Sequence, residues 1–149
     1  MTRHRKAPQP PKITSRRVLP CDILLIQPPV RDFYLTAKRT VPYGLMSIAS
    51  ACRQKGYRVE ILDALATGKS RPAPLPDELA YLAATYGPPD CAPFALFHQY
   101  RHFGYALATI AEQAYLSGAR LIGISSLFSA YEDMALACAQ VIKARCPTR

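Results

Sequence analysis

"DILLIQPPVRDFYLTAKRTVPYGL", Asp22 to Leu45, is the stretch whose reading decides the fold. Its first six residues, Asp22 to Gln27, are a continuous apolar run rich in branched side chains, the composition of a parallel strand covered on both faces. Fifteen residues, Pro28 to Pro42, then separate that strand from the next helix start, where a plain strand-to-helix turn takes about two to six. A loop this long is expected to be shaped around something. The helix after it lies within Tyr43 to Gly56. It sets Leu45, Ile48, Ala49 and Cys52 at helical spacing, collects Arg53 and Lys55 in its last turn and stops at a glycine.

Working outward, "YRVEILDA" alternates Val59 and Ile61 with Arg58 and Glu60, so the second strand has one wet side or lies at a sheet edge. From Ala64 to about Phe103 the alternation lapses under Pro72, Pro74, Pro76, Pro88, Pro89 and Pro93, which marks an irregular insertion with room for one short helix in "DELAYLAATY". Tyr105 to Gly118 resumes helical spacing through Leu107, Ile110, Ala111 and Ala114. Arg120 to Ser126 is a third strand, apolar on both faces, and Ser129-x-x-Glu132 is a capping-box pattern opening a helix that turns Leu136, Ala139 and Ile142 to the sheet. Three strands alternating with three helices predict an α/β fold: a flavodoxin-like (Rossmann-like) parallel sheet, strand order 2-1-3, helices on both faces. The third strand calls for a neighbour on its far side. The sheet is therefore expected to be incomplete, lacking strands four and five, in a truncated domain or one finished by another chain.

Composition limits the function. With 149 residues, half of them hydrophobic, the chain suits one ordinary domain over residues 21–149. Of the net charge of +9, six positive charges (Arg3, Arg5, Lys6, Lys12, Arg16 and Arg17) sit in the first 20 residues. That leader has almost nothing apolar to bury and is expected to be a flexible basic tail; without aromatic interleaving, the charge does not argue for nucleic acid. No apolar run has the length of a membrane span and no signal-peptide core follows the leader, so the expectation is a cytoplasmic protein without a membrane partner. Cys21, Cys52, Cys91, Cys138 and Cys146 form no C-x-x-C pair and are expected to be reduced structural thiols.

Ligands of such sheets bind beyond the carboxyl ends of the strands where the order reverses, here between strands one and three. The walls of that crevice are the long first loop and "SSLFSA", Ser125 to Ala130, whose small hydroxyl residues lead into a helix N-terminus that favours a negative group. Neither G-x-G-x-x-G nor G-x-x-x-x-G-K-[ST] follows the first strand, which disfavours nicotinamide cofactors and nucleoside triphosphates.

"DILLIQPPVRDFY", "VPYGLMSIASACRQKGYRVEILDA" and "RLIGISSLFSAYEDMALACAQVIKA" together resemble the N-terminal cobalamin-binding domain of radical S-adenosylmethionine enzymes. The resemblance covers roughly residues 21–64 and 104–147. It rests on the proline pair after strand one, the P-x-G-L helix start at Pro42 to Leu45, the strand ending at Asp63 and the S-x-L sequence at Ser125 to Leu127, in the family's order. The resemblance implies that a corrin ring lies over the strand ends with its nucleotide tail in the crevice. It carries over Ser125 as a hydrogen-bonding residue, Leu127 as a packing residue, Ser126 as a companion, and Pro28, Pro29, Tyr43 and Gly44 as neighbours of the ring or its side chains. On this view the first loop is long because it borders a macrocycle.

The wider cobalamin pattern D-x-H-x-x-G, whose histidine ligates cobalt from below, is not kept: "DFYLTA", Asp32 to Ala37, puts Tyr34 in the histidine position. A phenol with a pKa of about 10 is a poor ligand, so the resemblance implies cobalamin without a histidine lower ligand, unless Tyr34 merely packs. The C-x-x-x-C-x-x-C motif for a 4Fe-4S cluster is absent, so S-adenosylmethionine and that cluster, with methyl transfer or related radical chemistry, belong to a full-length parent. A partner is then a radical S-adenosylmethionine catalytic domain or another chain completing the sheet. His98 and His102 in "HQYRH" share one face if helical and could bind a metal or reach cobalt, but no third ligand is evident and no metal site is expected; Asp63 is expected to cap a turn rather than contact a ligand, and Arg31, Lys38 and Arg39 either attract anionic groups or keep a loop soluble. Two functions stand: a cobalamin-binding module, not catalytic alone, and a cofactor-free α/β interaction domain that associates through its open sheet edge.

Overall fold

A computed structural model of the chain describes residues 19–33, 41–81 and 100–147. Expectations for Tyr34, Lys38, Arg39, Cys91, His98 and the basic leader through residue 18 lie outside the described residues.

The apolar run at the start of the opening stretch forms β1 (Ile23–Gln27). It is the middle strand of a parallel three-stranded sheet, with β3 (Val59–Asp63) on one side and β6 (Leu121–Ile124) on the other. Registers pair Ile23 with Val59 and with Leu121, so the three strands start level. Outside the ladder, the Asp22 carboxylate forks onto Arg58, accepting from its backbone N–H at 2.8 Å and its guanidinium at 3.1 Å. An exposed ion pair contributes little to stability but aligns the first residues of β1 and β3.

Alternate residues of β1 face opposite layers. Ile23 and Leu25 pack with Val59 against Leu45 and Ala49 of α1 (Tyr43–Gln54). Leu24 and Ile26, both fully buried, meet Ile110, Ala111 and Ala114 of α2 (Leu107–Ser117) and Cys138 and Ile142 of α3 (Glu132–Arg145). Each such side chain contributes about 1.5–3 kcal/mol on burial, which makes β1 the centre of both cores. Arg53, in the last turn of α1, donates to the Val59 carbonyl and ties that helix to the start of β3.

Several expectations are corrected. Ile48 of α1 is exposed, and the buried stripe is Leu45 and Ala49 with Cys52 half-buried. In α3 the buried residues are Met134, Ala135, Cys138 and Ile142, while Leu136 and Ala139 face outward. The capping box does not form: Ser129–Tyr131 make a 3-10 turn, and Tyr131, not Ser129, precedes the first residue of α3 without a side-chain cap. β6 is not covered on both faces, since Leu121 is exposed and Ile122, Gly123 and Ile124 are half-buried.

The stretch from Ala64 to Phe103 is less irregular than its prolines suggest. β4 (Ser70–Pro72) and β5 (Arg101–Phe103) join β2 (Val30–Asp32) in a second, antiparallel sheet of order β2-β5-β4. Part of the long first loop is therefore a strand. Asp77–Leu79 form a 3-10 turn where a short helix was expected, and that segment soon passes beyond the described residues. The small sheet is fastened to the carboxyl end of the parallel one: Tyr105 N donates to Ala64 O at 2.9 Å, and Gly104 N to Lys69 O at 3.2 Å. Among the described residues no helix is long and apolar enough to cross a membrane, and Cys21, Cys52, Cys138 and Cys146 carry free thiols.

Candidate functional site

Three chain segments leave or approach the carboxyl end of the parallel sheet together. β1 runs out through Gln27 into Pro28; β6 runs out into Ser125–Phe128; α1 starts at Tyr43 after Pro42. Ser125 N donates to Ile26 O at 2.9 Å, extending the β1–β6 ladder by one bond and fixing where the second segment departs. Between them lies a cavity of about 450 Å³. Its size falls within the range of roughly 300–1,000 Å³ for small-molecule and cofactor sites.

Of the residues named from the sequence, Pro28, Tyr43, Gly44, Ser125, Ser126 and Leu127 all line this cavity. Pro29 does not: its side chain is fully buried, packed where the backbone of Gly104 passes. Arg31 and His102 belong to the small sheet, and Asp63 caps the 3-10 turn Ala64–Thr67 by accepting from Leu65 N at 2.9 Å. That cap sets Leu65 in the cavity wall. Among the described residues no group of three or more histidine, cysteine, aspartate or glutamate side chains is placed to hold a metal.

The lining includes residues that sequence reasoning missed. Val30 and Phe103 enter from the small sheet, Leu65 from the capped turn, and Phe128 and Tyr131 from the segment leading into α3. The Tyr131 hydroxyl donates to Asp32 Oδ2 at 2.5 Å, and Asp32 Oδ1 accepts from Phe33 N at 2.7 Å. One carboxylate thus joins the small sheet to the segment after β6. Phe128 meets the Tyr131 ring edge-on, with centroids 6.2 Å apart, a preferred aromatic geometry. The sequence held one signal for this wall, the aspartate two residues before Leu65 at a strand end. Phe103 carried none, because a three-residue strand has no period to read.

The described lining contains no aspartate, glutamate, lysine, arginine or histidine; its polar groups are the Gln27 amide and the hydroxyls of Tyr43, Ser125, Ser126 and Tyr131. The attraction expected for a negative group is also reduced, because the first turn of α3 already carries Glu132 and Asp133 beside its own N–H groups. Around the mouth, Tyr43, Leu127 and Phe128 are 73%, 78% and 61% exposed. Clustered exposed apolar side chains of this size mark a binding surface rather than ordinary solvent-facing protein. The described lining suits a ligand with an apolar body and hydrogen-bonding edges. Comparison of the chain with protein-family models, with curated proteins and with solved structures finds no match in any of the three.

Proposed function

We propose that this chain is a cobalamin-binding module of flavodoxin-like architecture, with the cofactor at the carboxyl end of the parallel sheet. The observation that carries the reading is the convergence of Pro28, Tyr43, Gly44, Ser125, Ser126 and Leu127 on one cavity. These residues come from three separate stretches of sequence, and each is one that the family resemblance implies. The donor set supports it too. A corrinoid presents a ring edge fringed with neutral amides and a planar aromatic base, which take hydroxyl and amide partners and apolar walls, and the single phosphodiester of its tail can accept from the Ser125 and Ser126 hydroxyls, with no charged residue in the described lining to pair it. Ser125 and Ser126 hold the tail in the cavity, Leu65 and Phe103 cover its flat base, and Tyr43, Leu127 and Phe128 support the ring at the mouth. Cobalamin would supply a cobalt that carries alkyl groups, and radical chemistry on them would reside in a partner catalytic domain bearing an iron-sulfur cluster.

The test uses Gly44, a cavity-lining position where an added Cβ meets no atom within 4 Å and the helix has just begun. Hydroxocobalamin added to the wild-type protein co-elutes in gel filtration with a shifted visible absorption. Gly44→Trp fills the cavity, leaves the melting temperature unchanged and abolishes co-elution. A folded wild-type protein that leaves hydroxocobalamin in the small-molecule fraction overturns the reading.

A second reading, an α/β interaction domain that pairs through its open edge, is favoured by one observation: among the described residues β6 pairs only with β1, and Leu121 on it is 59% exposed. The two readings use different surfaces.

A further inference from the structure

The outer margin of β6 carries a hydrogen-bonding pattern that matches itself. Arg120 N and Leu121 N both donate to Asp22 O, at 3.0 and 3.2 Å, and Ser125 N donates to Ile26 O at 2.9 Å, so the backbone of these residues faces β1. Within a strand the N–H and C=O of one residue point to the same side, and successive residues alternate. Ile122 and Ile124 therefore each hold a donor and an acceptor towards the open side, with Gly123 between them. Among the described residues no strand takes these groups. A Cβ at Gly123 would meet Leu25 Cδ2 at 2.9 Å, so the position stays without a side chain and leaves its backbone open to close approach. The strand "LIGI" has no charge to repel a like strand, and Leu121 beside the margin is 59% exposed.

A second copy of the same edge answers this pattern in one register. With the two β6 strands antiparallel and Gly123 opposite Gly123, Ile122 of each copy lies opposite Ile124 of the other, and each such pair exchanges both of its hydrogen bonds. An axis through Ile122 or Ile124 joins only one such pair, because Arg120 N is already given to Asp22 and Ser126 lies past the end of β6. Parallel pairing of two identical edges needs an offset of one residue, so the two surfaces are not equivalent and no two-fold axis relates them.

We infer that the partner at the open margin of β6 is a second copy of this chain, joined antiparallel about a two-fold axis through Gly123 into one continuous sheet of order β3-β1-β6-β6-β1-β3. This rests on the edge-pairing reading and adds to it the partner, the direction and the register. A seam four residues long falls short of the roughly 1,200 Å² that lasting complexes bury, so the dimer forms at high protein concentration and its subunits exchange.

The experiment traps the register. Leu121 of one copy lies directly opposite Ser125 of the other, in a pair without hydrogen bonds whose Cα atoms are about 4.5 Å apart, within disulfide reach. Inside one chain the two positions are four residues, about 13 Å, apart, and like positions of the two copies are at least as distant. Leu121→Cys and Ser125→Cys are made separately and each is shown folded by circular dichroism. Mixed at high concentration and oxidised with diamide, they give a covalent dimer linked between positions 121 and 125; mass spectrometry of the linked peptides tells this bond from any made by the native thiols. Either variant alone forms no bond between its introduced thiols. A mixture that sediments as a dimer without the 121–125 bond, or a 121–121 bond in Leu121→Cys alone, overturns this register and leaves edge pairing standing. A wild-type chain that stays monomeric at high concentration overturns both.

Discussion

Gly104 shows how one position couples the two sheets. Its φ is +109°, and a Cβ there would sit 2.6 Å from the Ala64 carbonyl oxygen and 3.0 Å from Pro29 Cβ. Three connections meet at this point: β1 to β2 through Pro29, β3 to β4 through Ala64, and β5 to α2 through Gly104 itself. An alanine would meet both a strained backbone region and an immovable carbonyl, so Gly104→Ala is expected to cost about 2–4 kcal/mol in urea unfolding. A cost under about 1 kcal/mol would mean the close approach is absent. His102 gives a pH signature. Its pKa lies below the ordinary 6.5, chiefly through burial and then through Arg71 and Arg31, with the Tyr105 carbonyl opposing. As pH falls through 6.5 the unfolded chain takes up a proton that the fold resists, so stability is full above that value and declines below it. Asp22 is held below the usual carboxylate range by its hydrogen bonds to Arg58, so its contribution is present above 3.8 and lost only in more acid solution. The two windows are separate. Thermal melts in phosphate-free buffer between neutrality and about pH 5 should fall for the wild type and stay flatter for His102→Gln. Cys138, whose thiol burial pushes up to about 11, should resist alkylation near neutral pH until the protein unfolds, a point settled by mass spectrometry of pulse-labelled protein.

At the scale of elements, the helices show what periodicity carries and where it slips. In α3 the Ser129–Tyr131 turn winds at about three residues per turn rather than 3.6, so a phase counted from Ser129 is wrong by the time Leu136 is reached. Leu136 accordingly points outward at 60% exposure while Met134 is fully buried; Ile142 satisfies both phases. Met134→Ala is expected to cost about 2–5 kcal/mol in chemical denaturation, and Leu136→Ala and Ser129→Ala about 0.5 kcal/mol or less. Equal costs at 134 and 136 would restore the phase expected from a capping box. The same comparison explains which strands were legible. β1 announced itself through four consecutive branched apolar residues and β3 through its alternation with Arg58 and Glu60. β2, β4 and β5 have three residues each, include a proline and three arginines, and owe their form to partners many residues away, as Arg101 shows by donating to Ser70 Oγ at 3.0 Å. Two of the cavity's lining residues, Val30 and Phe103, sit on those short strands. The parts contributed by Pro28, Tyr43 to Gly44 and Ser125 to Leu127 were named through the family resemblance, and each adjoins a strongly patterned element, β1, α1 or β6, whose end could be read from the sequence.

For the whole molecule, the decisive asymmetry is between the two sides of β1. Both of its edges are paired, and the outer strand β3 shows the alternating pattern that suits a sheet margin. β6 is equally marginal in position among the described residues but not in composition: "LIGI" has no charge, and Leu121 is 59% exposed. Leu121 and Ser125 direct their N–H groups to Asp22 O, just before β1, and to Ile26 O on it, so by the alternation of a parallel ladder Ile122 and Ile124 present theirs to the open side. Among the described residues these two donors meet no partner strand, and with the exposed Leu121 side chain beside them they form a template for another strand. The protein is therefore expected to self-associate with rising concentration in analytical ultracentrifugation, and Leu121→Lys, a charge on the exposed rim, to hold it monomeric with an unchanged circular dichroism spectrum. Gly44→Trp should leave association untouched, since the cavity mouth and the strand edge share no group. A wild-type chain that stays monomeric at high concentration would remove the edge-pairing reading and leave the cavity reading unaffected; a Leu121→Lys variant that associates like the wild type would place the contact elsewhere.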